Sequence, residues 1–131
     1  MKNVSAAIFL RNDSVLIAKR GERENLAGYW EFPGGKQEQN ETIFQCLERE
    51  ILEEFNVKCK TKKIFCESIY DYSNGVIKLT AIFSDLLDNK IELSVHDNYK
   101  WVKIKDLLKY QLAPADISIA KKLIEYDEKH F

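Results

Sequence analysis

Residues 35–57 read GKQEQNETIFQCLEREILEEFNV, and the helical periodicity within this stretch decides the fold. At about 100° per residue, Glu50, Glu53 and Glu54 fall within an arc of roughly 100° on one helix surface. The residues beside that arc are apolar and form a stripe of Phe44, Leu47, Ile51 and Phe55. The helix can therefore bury one side while it presents three carboxylates from the other.

The helix has a recognisable start, because Thr42 is followed three residues later by Gln45, the pattern of a capping box. The spacing predicts a helix over residues 43–55. Like charges this close repel each other, so they are explained either by paired cations on a solvated face or by a bound metal. Hard oxygen ligands of this kind suit Mg²⁺ or Mn²⁺.

The stretch resembles the signature box of the Nudix hydrolases, which has Gly, Glu, Arg-Glu-apolar, Glu-Glu and Gly-apolar at fixed spacing. The matching residues are Gly35, Glu41, Arg49, Glu50, Ile51, Glu53, Glu54 and Val57. Asn56 stands where the family has Gly. This position ends the helix in a left-handed conformation, and Asn is the residue that tolerates it best after Gly. The resemblance implies an α+β fold in which a mixed β-sheet is sandwiched between α-helices.

The same resemblance implies a site and its metal. Mg²⁺, with Mn²⁺ as the alternative, would be coordinated by Glu50, Glu53, Glu54 and the main-chain carbonyl of Gly34. Either Glu53 or Glu50 would act as the base toward water, and the choice stays open. Arg49 would pair with Glu41 and orient the glutamates, with an ordinary surface charge as the alternative.

Outside the box, the pattern predicts two hairpins. Residues 4–10 and 15–18 form the first around Asn12-Asp13, and residues 57–72 and 76–85 form the second around Ser73-Asn74-Gly75. Further predicted elements are short strands at 91–93 and 99–102, a helical turn at 106–110 and a helix from Pro114 to about Glu128. The last helix should bury Ile117, Ala120, Leu123 and Ile124. Residues 21–29 form a polar loop able to close over a ligand.

Composition bounds the class of protein. The 131 residues are 45% apolar and 31% charged with net charge −1, which is typical of one globular domain over residues 1–131. This neutrality argues against binding to a nucleic-acid polymer. Cys46, Cys59 and Cys66 form no CxxC pair and predict reduced thiols in a cytoplasmic protein. No segment has the length of a membrane span or a signal peptide, so no membrane partner is expected.

Many family members carry an additional metal-binding Glu about six residues before a late Trp. Here that segment reads VHDNYKW over residues 95–101, so Val95 occupies the Glu position and the extra ligand is missing. Asp97 is a candidate substitute from the adjacent turn. If Asp97 takes no part, its replacement by Ala leaves the Mg²⁺ dependence unchanged.

Two segments are informative about the substrate. Residues 29–36, YWEFPGGK, are similar to the approach to the box in MutT-type enzymes, and residues 110–117, YQLAPADI, resemble a segment of the CTP-hydrolysing branch. Asp116 then occupies a base-reading position, although an Asp in a first helical turn is also favoured by the helix dipole. Arg20 resembles a phosphate-binding position of the MutT-type enzymes, with a solvated strand end as the alternative. Tyr72, Ile77 and Leu79 match the base pocket, with plain strand core as the alternative.

These observations predict a Mg²⁺-dependent nucleoside triphosphate pyrophosphohydrolase that releases a nucleoside monophosphate and pyrophosphate, and that serves nucleotide-pool sanitation. CTP or a modified cytidine triphosphate and 8-oxo-dGTP are rival substrates. Two alternatives stay open: a non-catalytic nucleotide-binding module of the same fold, and a hydrolase of another nucleoside diphosphate derivative. The expected partner is a nucleoside triphosphate, and the expected state is a monomer or weak dimer.

Overall fold

The computed structural model describes residues 1–130; Phe131, the last residue of the predicted domain, lies outside the described residues. Within residues 1–130, seven strands and two α-helices follow one another. They are β1 (Lys2–Arg11), β2 (Ser14–Arg20), β3 (Trp30–Glu31), β4 (Gly34–Lys36), α1 (Ile43–Phe55), β5 (Cys59–Tyr72), β6 (Gly75–Leu86), β7 (His96–Lys103) and α2 (Pro114–His130). A 3-10 helix, Ile104–Lys109, connects β7 to the segment before α2.

All seven strands belong to one mixed sheet with the order β3-β2-β1-β6-β5. The pairing of β1 with β6 is parallel, and every other pairing is antiparallel. On its other edge, β1 pairs with β4 near its start and with β2 near its end, while β7 pairs with β2. The strand that carries the glycine pair is thereby placed against β1.

Both faces of the sheet are buried, because alternate residues of its central strands enter two separate cores. In β1, Ala6 and Ile8 pack into the core that contains Ile119 and Leu123 of α2. Ala7 and Phe9 pack into the core that contains Leu47, Ile51 and Phe55 of α1. Side chains of a strand point alternately to opposite faces, so α1 and α2 cover opposite faces. The predicted α+β sandwich is confirmed.

Most predicted elements are confirmed, and the helix of the box has the predicted bounds, Ile43–Phe55. The second hairpin is tighter than predicted, because Tyr72 pairs directly with Gly75 and only Ser73 and Asn74 form the turn. The strands β3 and β4 were not predicted; with two and three residues, they are too short to show a periodicity.

Two predictions were wrong. Residues 91–93 are not a strand, because the amides of Glu92 and Ser94 donate to the carbonyls of Phe55 and Glu54 at the end of α1 instead of to a neighbouring strand. Ile117 is 36% exposed, and Ile119 occupies the buried position in its place, one helical turn before Leu123. No helix among residues 1–130 is long and apolar enough to cross a membrane.

Candidate active site

Helix α1 is fixed at both ends by side chains. The hydroxyl of Thr42 accepts a hydrogen bond from the Gln45 amide at 3.0 Å, and the Gln45 side chain accepts one from the Thr42 amide at 2.9 Å. At the other end, Asn56 adopts the predicted left-handed conformation, with φ 55° and ψ 35°. Its side-chain amide donates to the carbonyl of Glu92 and to the hydroxyl of Ser94. The helix end is therefore tied to the segment that precedes β7.

The glycine pair lets two other parts of the molecule approach closely. A Cβ atom at Gly34 would lie 1.9 Å from the carbonyl oxygen of Ser5, which belongs to β1. A Cβ atom at Gly35 would lie 2.3 Å from the carboxyl carbon of Glu50. Neither glycine has a positive φ, so both are required by space and not by a turn. The Glu50 carboxylate can pack on the β4 backbone because residue 35 has no side chain.

Arg49 is hydrogen-bonded to three acidic side chains and forms an ion pair with a fourth, Glu38, at 3.5 Å. Its guanidinium binds Glu41 through two parallel hydrogen bonds of 3.0 and 2.8 Å, and it donates to Glu50 at 2.9 Å and to Glu53 at 3.3 Å. The hydrogen bonds from Arg49 lower the pKa of Glu41 to about 2, and the hydrogen bonds to Glu41 raise the pKa of Arg49. The planar fork of an arginine suits this arrangement, since a bidentate pair fixes orientation as well as distance.

A cavity of about 770 Å³ brings together eight of the predicted site residues, which are Arg20, Gly34, Glu50, Glu54, Tyr72, Ile77, Leu79 and Asp116. Glu41, Arg49 and Glu53 do not line it. The Glu53 side chain is 58% exposed and contacts Arg49. Val95 lines the cavity and Asp97 does not, so the geometry gives no support to Asp97 as a substitute ligand.

The carboxylates in the cavity repel one another. Burial, together with the charges of Glu50 and Glu31, raises the pKa of Glu54 from its ordinary 4.5 to about 8. Within residues 1–130, no three His, Cys, Asp or Glu side chains converge as a ready-made metal cluster. Glu50 and Glu54 nevertheless fit a hard divalent cation, because they are oxygen donors beside a glycine backbone and a cation would relieve their repulsion.

Asp116 also lines the cavity and is 5% exposed. Its Oδ2 atom accepts a hydrogen bond of 2.9 Å from the Phe32 amide. Burial, and then the charge of Glu31, raises the pKa of Asp116 well above its ordinary value. Tyr72 lies next to Asp116, because its hydroxyl accepts a hydrogen bond from the amide of Ala115.

Glu31 and His96 are among the cavity residues that sequence reasoning missed. Glu31 accepts a hydrogen bond of 2.8 Å from Arg20 and lies 2.9 Å from the Nε2 atom of His96. The imidazole of His96, whose side chain is 3% exposed, also stacks on Phe55. Glu31 lies inside the YWEFPGGK segment, and the similarity of that segment to MutT-type enzymes was the one indication that Glu31 belongs to the site. Nothing in the sequence indicates that His96 meets a residue so distant along the chain.

Comparisons with known proteins identify the family to which the chain belongs. A family model described as NUDIX domain matches residues 5–122. The chain belongs to the Nudix hydrolase family, whose members generally use a divalent metal, typically Mg²⁺.

Individual relatives are similar over most of their length. The chain is 33% identical over 119 residues to the CTP pyrophosphohydrolase of Escherichia coli (strain K12), which covers 91% of this chain and 88% of that protein. It is 30% identical over 105 residues to the 8-oxo-dGTP diphosphatase of Buchnera aphidicola subsp. Schizaphis graminum, and this match covers 80% of this chain and 79% of that protein. The solution structure of the E. coli ORF135 protein superposes with a TM-score of 0.85 at 30% identity, covering 99% of this chain and 93% of that one.

Proposed function

We propose that the protein is a Mg²⁺-dependent pyrophosphohydrolase that converts a nucleoside triphosphate and water into a nucleoside monophosphate and pyrophosphate. The observation that carries the proposal is that one cavity is lined by two chemically different groups of residues. The first group is Glu50 and Glu54 beside the glycine pair, and the second is the buried Asp116 with its neighbour Tyr72. A nucleotide needs both kinds of group, because it carries phosphates at one end and a hydrogen-bonding base at the other.

At the phosphate end, the proposal assigns Glu50, Glu53, Glu54 and the Gly34 carbonyl to the metal. When bound, the ion neutralises phosphate oxygens and lowers the pKa of a coordinated water. Glu53 or Glu50 would accept the proton of the attacking water. The side chain of Glu53 is exposed and contacts only Arg49 by hydrogen bond, so it is free to turn toward the cavity.

Two positive charges would complete this end. Arg49 would hold the carboxylates in place, with Glu41 fixing Arg49. Arg20 would attract the phosphates from the cavity wall, where Glu31 holds its guanidinium.

At the base end, Asp116 would read the base, while Tyr72, Ile77 and Leu79 would flank it. Burial raises the pKa of Asp116, and in its neutral form the carboxyl group can both donate and accept a hydrogen bond. Cytosine presents one acceptor, N3, beside one donor, the exocyclic amine, and therefore complements it. CTP or a modified cytidine triphosphate is thus the first candidate, and similarity to a CTP pyrophosphohydrolase agrees.

The second candidate is 8-oxo-dGTP, which similarity to an 8-oxo-dGTP diphosphatase favours. Guanine presents two donors on the same edge, so its recognition requires Asp116 in the ionised form. In either case the enzyme would remove unwanted nucleotides from the cytoplasmic pool, as a monomer or weak dimer.

The proposal is tested by incubating the purified protein with canonical, oxidised and methylated nucleoside triphosphates and measuring the products. We expect Mg²⁺-dependent release of pyrophosphate, with cytidine nucleotides preferred. Release of orthophosphate, or turnover only of nucleoside diphosphate derivatives, contradicts the proposed reaction.

The non-catalytic alternative is tested by Glu53→Gln, which should lower kcat strongly because it removes a ligand or the base. Glu48→Gln on the same helix is the matched control, since Glu48 contacts Thr61 and does not line the cavity. Equal rates in Glu53→Gln and the parent protein contradict a catalytic box.

A further inference from the structure

The two backbone polar groups of one residue at the start of α2 are bound by side chains of β5. The hydroxyl of Tyr72 accepts a hydrogen bond of 3.0 Å from the amide of Ala115. The hydroxyl of Ser68 donates a hydrogen bond of 3.0 Å to the carbonyl of Ala115. Both polar groups of Ala115 are therefore bound by the neighbouring sheet, and we call Ser68 and Tyr72 the Ala115 clamp.

The spacing of the clamp follows from the geometry of a strand. Ser68 and Tyr72 are four residues apart on β5, so their side chains point to the same face, the face that α2 covers. Ser68 is itself buried and receives a further hydrogen bond of 2.9 Å from the hydroxyl of Ser118, one turn into α2. The contact between β5 and the first turn of α2 is thus polar and directional.

The clamp acts at a place where a helix lacks its own hydrogen bonds. The first amides of a helix have no partner within it, and the first turn therefore depends on outside groups for its position. Asp116 directly follows Ala115 and is fixed at its carboxyl group by the Phe32 amide. The clamp binds the residue before it, and the Asp116 amide donates to the carbonyl of Ala113 at 2.9 Å. The direction of the other carboxyl oxygen of Asp116 therefore depends on the clamp together with these attachments.

We propose that Ser68 and Tyr72 are positioning residues, which set the orientation of Asp116 and through it the selectivity between bases. This inference rests on the proposed function, in which Asp116 reads the base. Discrimination by hydrogen bonds requires donors and acceptors to be placed within a fraction of an ångström, because a mismatched pair leaves a buried polar group unpaired. A shift of the first turn of α2 therefore reduces the selectivity between bases more than it reduces the affinity for the phosphates.

The experiment compares Tyr72→Phe and Ser68→Ala with the parent protein on a cytidine triphosphate and on 8-oxo-dGTP. Each variant should reduce the ratio of the two kcat/KM values by about three- to tenfold, the equivalent of one hydrogen bond. The change should lie in KM, and the Mg²⁺ dependence should stay as in the parent. An unchanged ratio in both variants overturns the inference.

Matched controls separate positioning from general damage to the fold. Tyr70→Phe makes the same change two residues away on β5, at an exposed residue whose ring packs on Tyr72. Ser84→Ala removes a buried hydroxyl of β6 that bonds only to the Ile82 carbonyl. Both should keep the parent ratio. Thermal unfolding of all four variants shows whether any loss of selectivity follows from loss of stability.

A double-mutant cycle decides whether Tyr72 acts through Asp116. In an Asp116→Ala background, Tyr72→Phe should leave the selectivity ratio unchanged, because the group that it orients is gone. A further drop in that background means that the Tyr72 hydroxyl contacts the base directly, and it overturns the positioning role.

The same comparison distinguishes failure of this inference from failure of the proposed function. If the parent protein turns over neither nucleotide, the dissociation constants of the two nucleotides supply the ratio. If the parent also binds neither, the proposed function and the inference both fall. If the parent discriminates and the clamp variants discriminate equally well, the inference alone falls.

Discussion

Gly34 and Gly35 are neighbours in the chain, yet a methyl group at each would meet a different obstacle. At Gly34 the obstacle is the backbone of β1, which cannot move without disturbing the centre of the sheet. We expect Gly34→Ala to destabilise the protein by about 1–3 kcal/mol, the usual cost of overpacking. Denaturant unfolding with an unchanged m-value measures this loss.

At Gly35 the obstacle is the end of a side chain, the carboxyl group of Glu50, which can move. Gly35→Ala should therefore keep most of the stability of the parent and lose much of its Mg²⁺ affinity and activity. The two alanine variants serve as controls for each other. A stable and active Gly34→Ala protein contradicts the close approach of β4 to β1.

A second prediction at the residue scale concerns Arg49, because its guanidinium is hydrogen-bonded to three carboxylates. Lysine keeps the charge and loses the fork, so Arg49→Lys should lower kcat by about 10- to 100-fold, the effect expected for a group that orients metal ligands. Arg11→Lys is the control, since Arg11 packs over the ring of Trp101 away from the cavity. Full activity of Arg49→Lys means that a positive charge at this position is sufficient to orient the carboxylates, and it contradicts a role for the planar guanidinium.

The sequence identifies individual residues well where a local motif exists. The resemblance of one short stretch to the family box implied the pairing of Arg49 with Glu41, and the left-handed Asn56 followed from its position at the end of the helix. Glu31 and His96 were missed because their contact is formed by two strands that are far apart in the chain, and no periodicity encodes such a contact.

At the scale of the element, Asn56 does more than tolerate the end of α1. Its side chain bonds to residues 92 and 94, whose amides in turn satisfy carbonyls at the helix end. Asn56→Gly restores the family residue and relieves backbone strain, but it removes both side-chain bonds. We expect little net change in global stability and faster hydrogen exchange at the amides of Glu92 and Ser94.

Asn56→Ala is the contrasting variant, because it loses the bonds and also keeps a side chain at a positive φ. It should destabilise the protein by about 1–2 kcal/mol or more relative to Asn56→Gly. Equal stability of the two variants shows that the left-handed conformation is not maintained.

The elements that sequence reasoning predicts correctly are those with a strong local signal. Helix α1 has a capping box and a clear apolar stripe, and both hairpins have turn residues between apolar runs. The segment 91–93 has the composition of a strand, yet the free carbonyls of a helix end compete for its amides. That competition is a tertiary effect and is invisible in the residues themselves.

At the scale of the whole molecule, two buried carboxyl groups couple stability to pH. The pKa values of Glu54 and Asp116 are both raised, so each contributes stability that is complete below its ordinary pKa and is lost as pH rises through its folded-state value. For Glu54 the loss runs from about 4.5 to about 8. The metal-free protein should therefore become less stable over this range.

Variants and Mg²⁺ separate the two contributions. Glu54→Gln and Asp116→Asn should each flatten the decline, and Mg²⁺ should restore stability in the parent and in Asp116→Asn but much less in Glu54→Gln. Thermal unfolding at several pH values, with Mg²⁺ or with a chelator, measures these differences. Identical pH profiles for all three proteins without metal contradict the burial of these charges.

The overall architecture was predictable only in part. Alternating apolar runs and two amphipathic helices indicate an α+β domain, but the mixed sheet between helices came from the resemblance to a family, and the order of the strands was not predicted. The parallel pairing of β1 with β6 joins two distant strands with no local turn between them, and only the sum of tertiary contacts selects it.

That parallel pairing also affects the rate at which the protein folds. The ribosome makes β1 before β6, and β1 must wait for this partner, which follows the glycine pair, α1 and β5 in the chain. Closing so long a loop is entropically unfavourable, and contacts of this kind slow folding. The apolar β1 is meanwhile an unpaired edge, so a nascent chain stalled before β6 is at risk of aggregation.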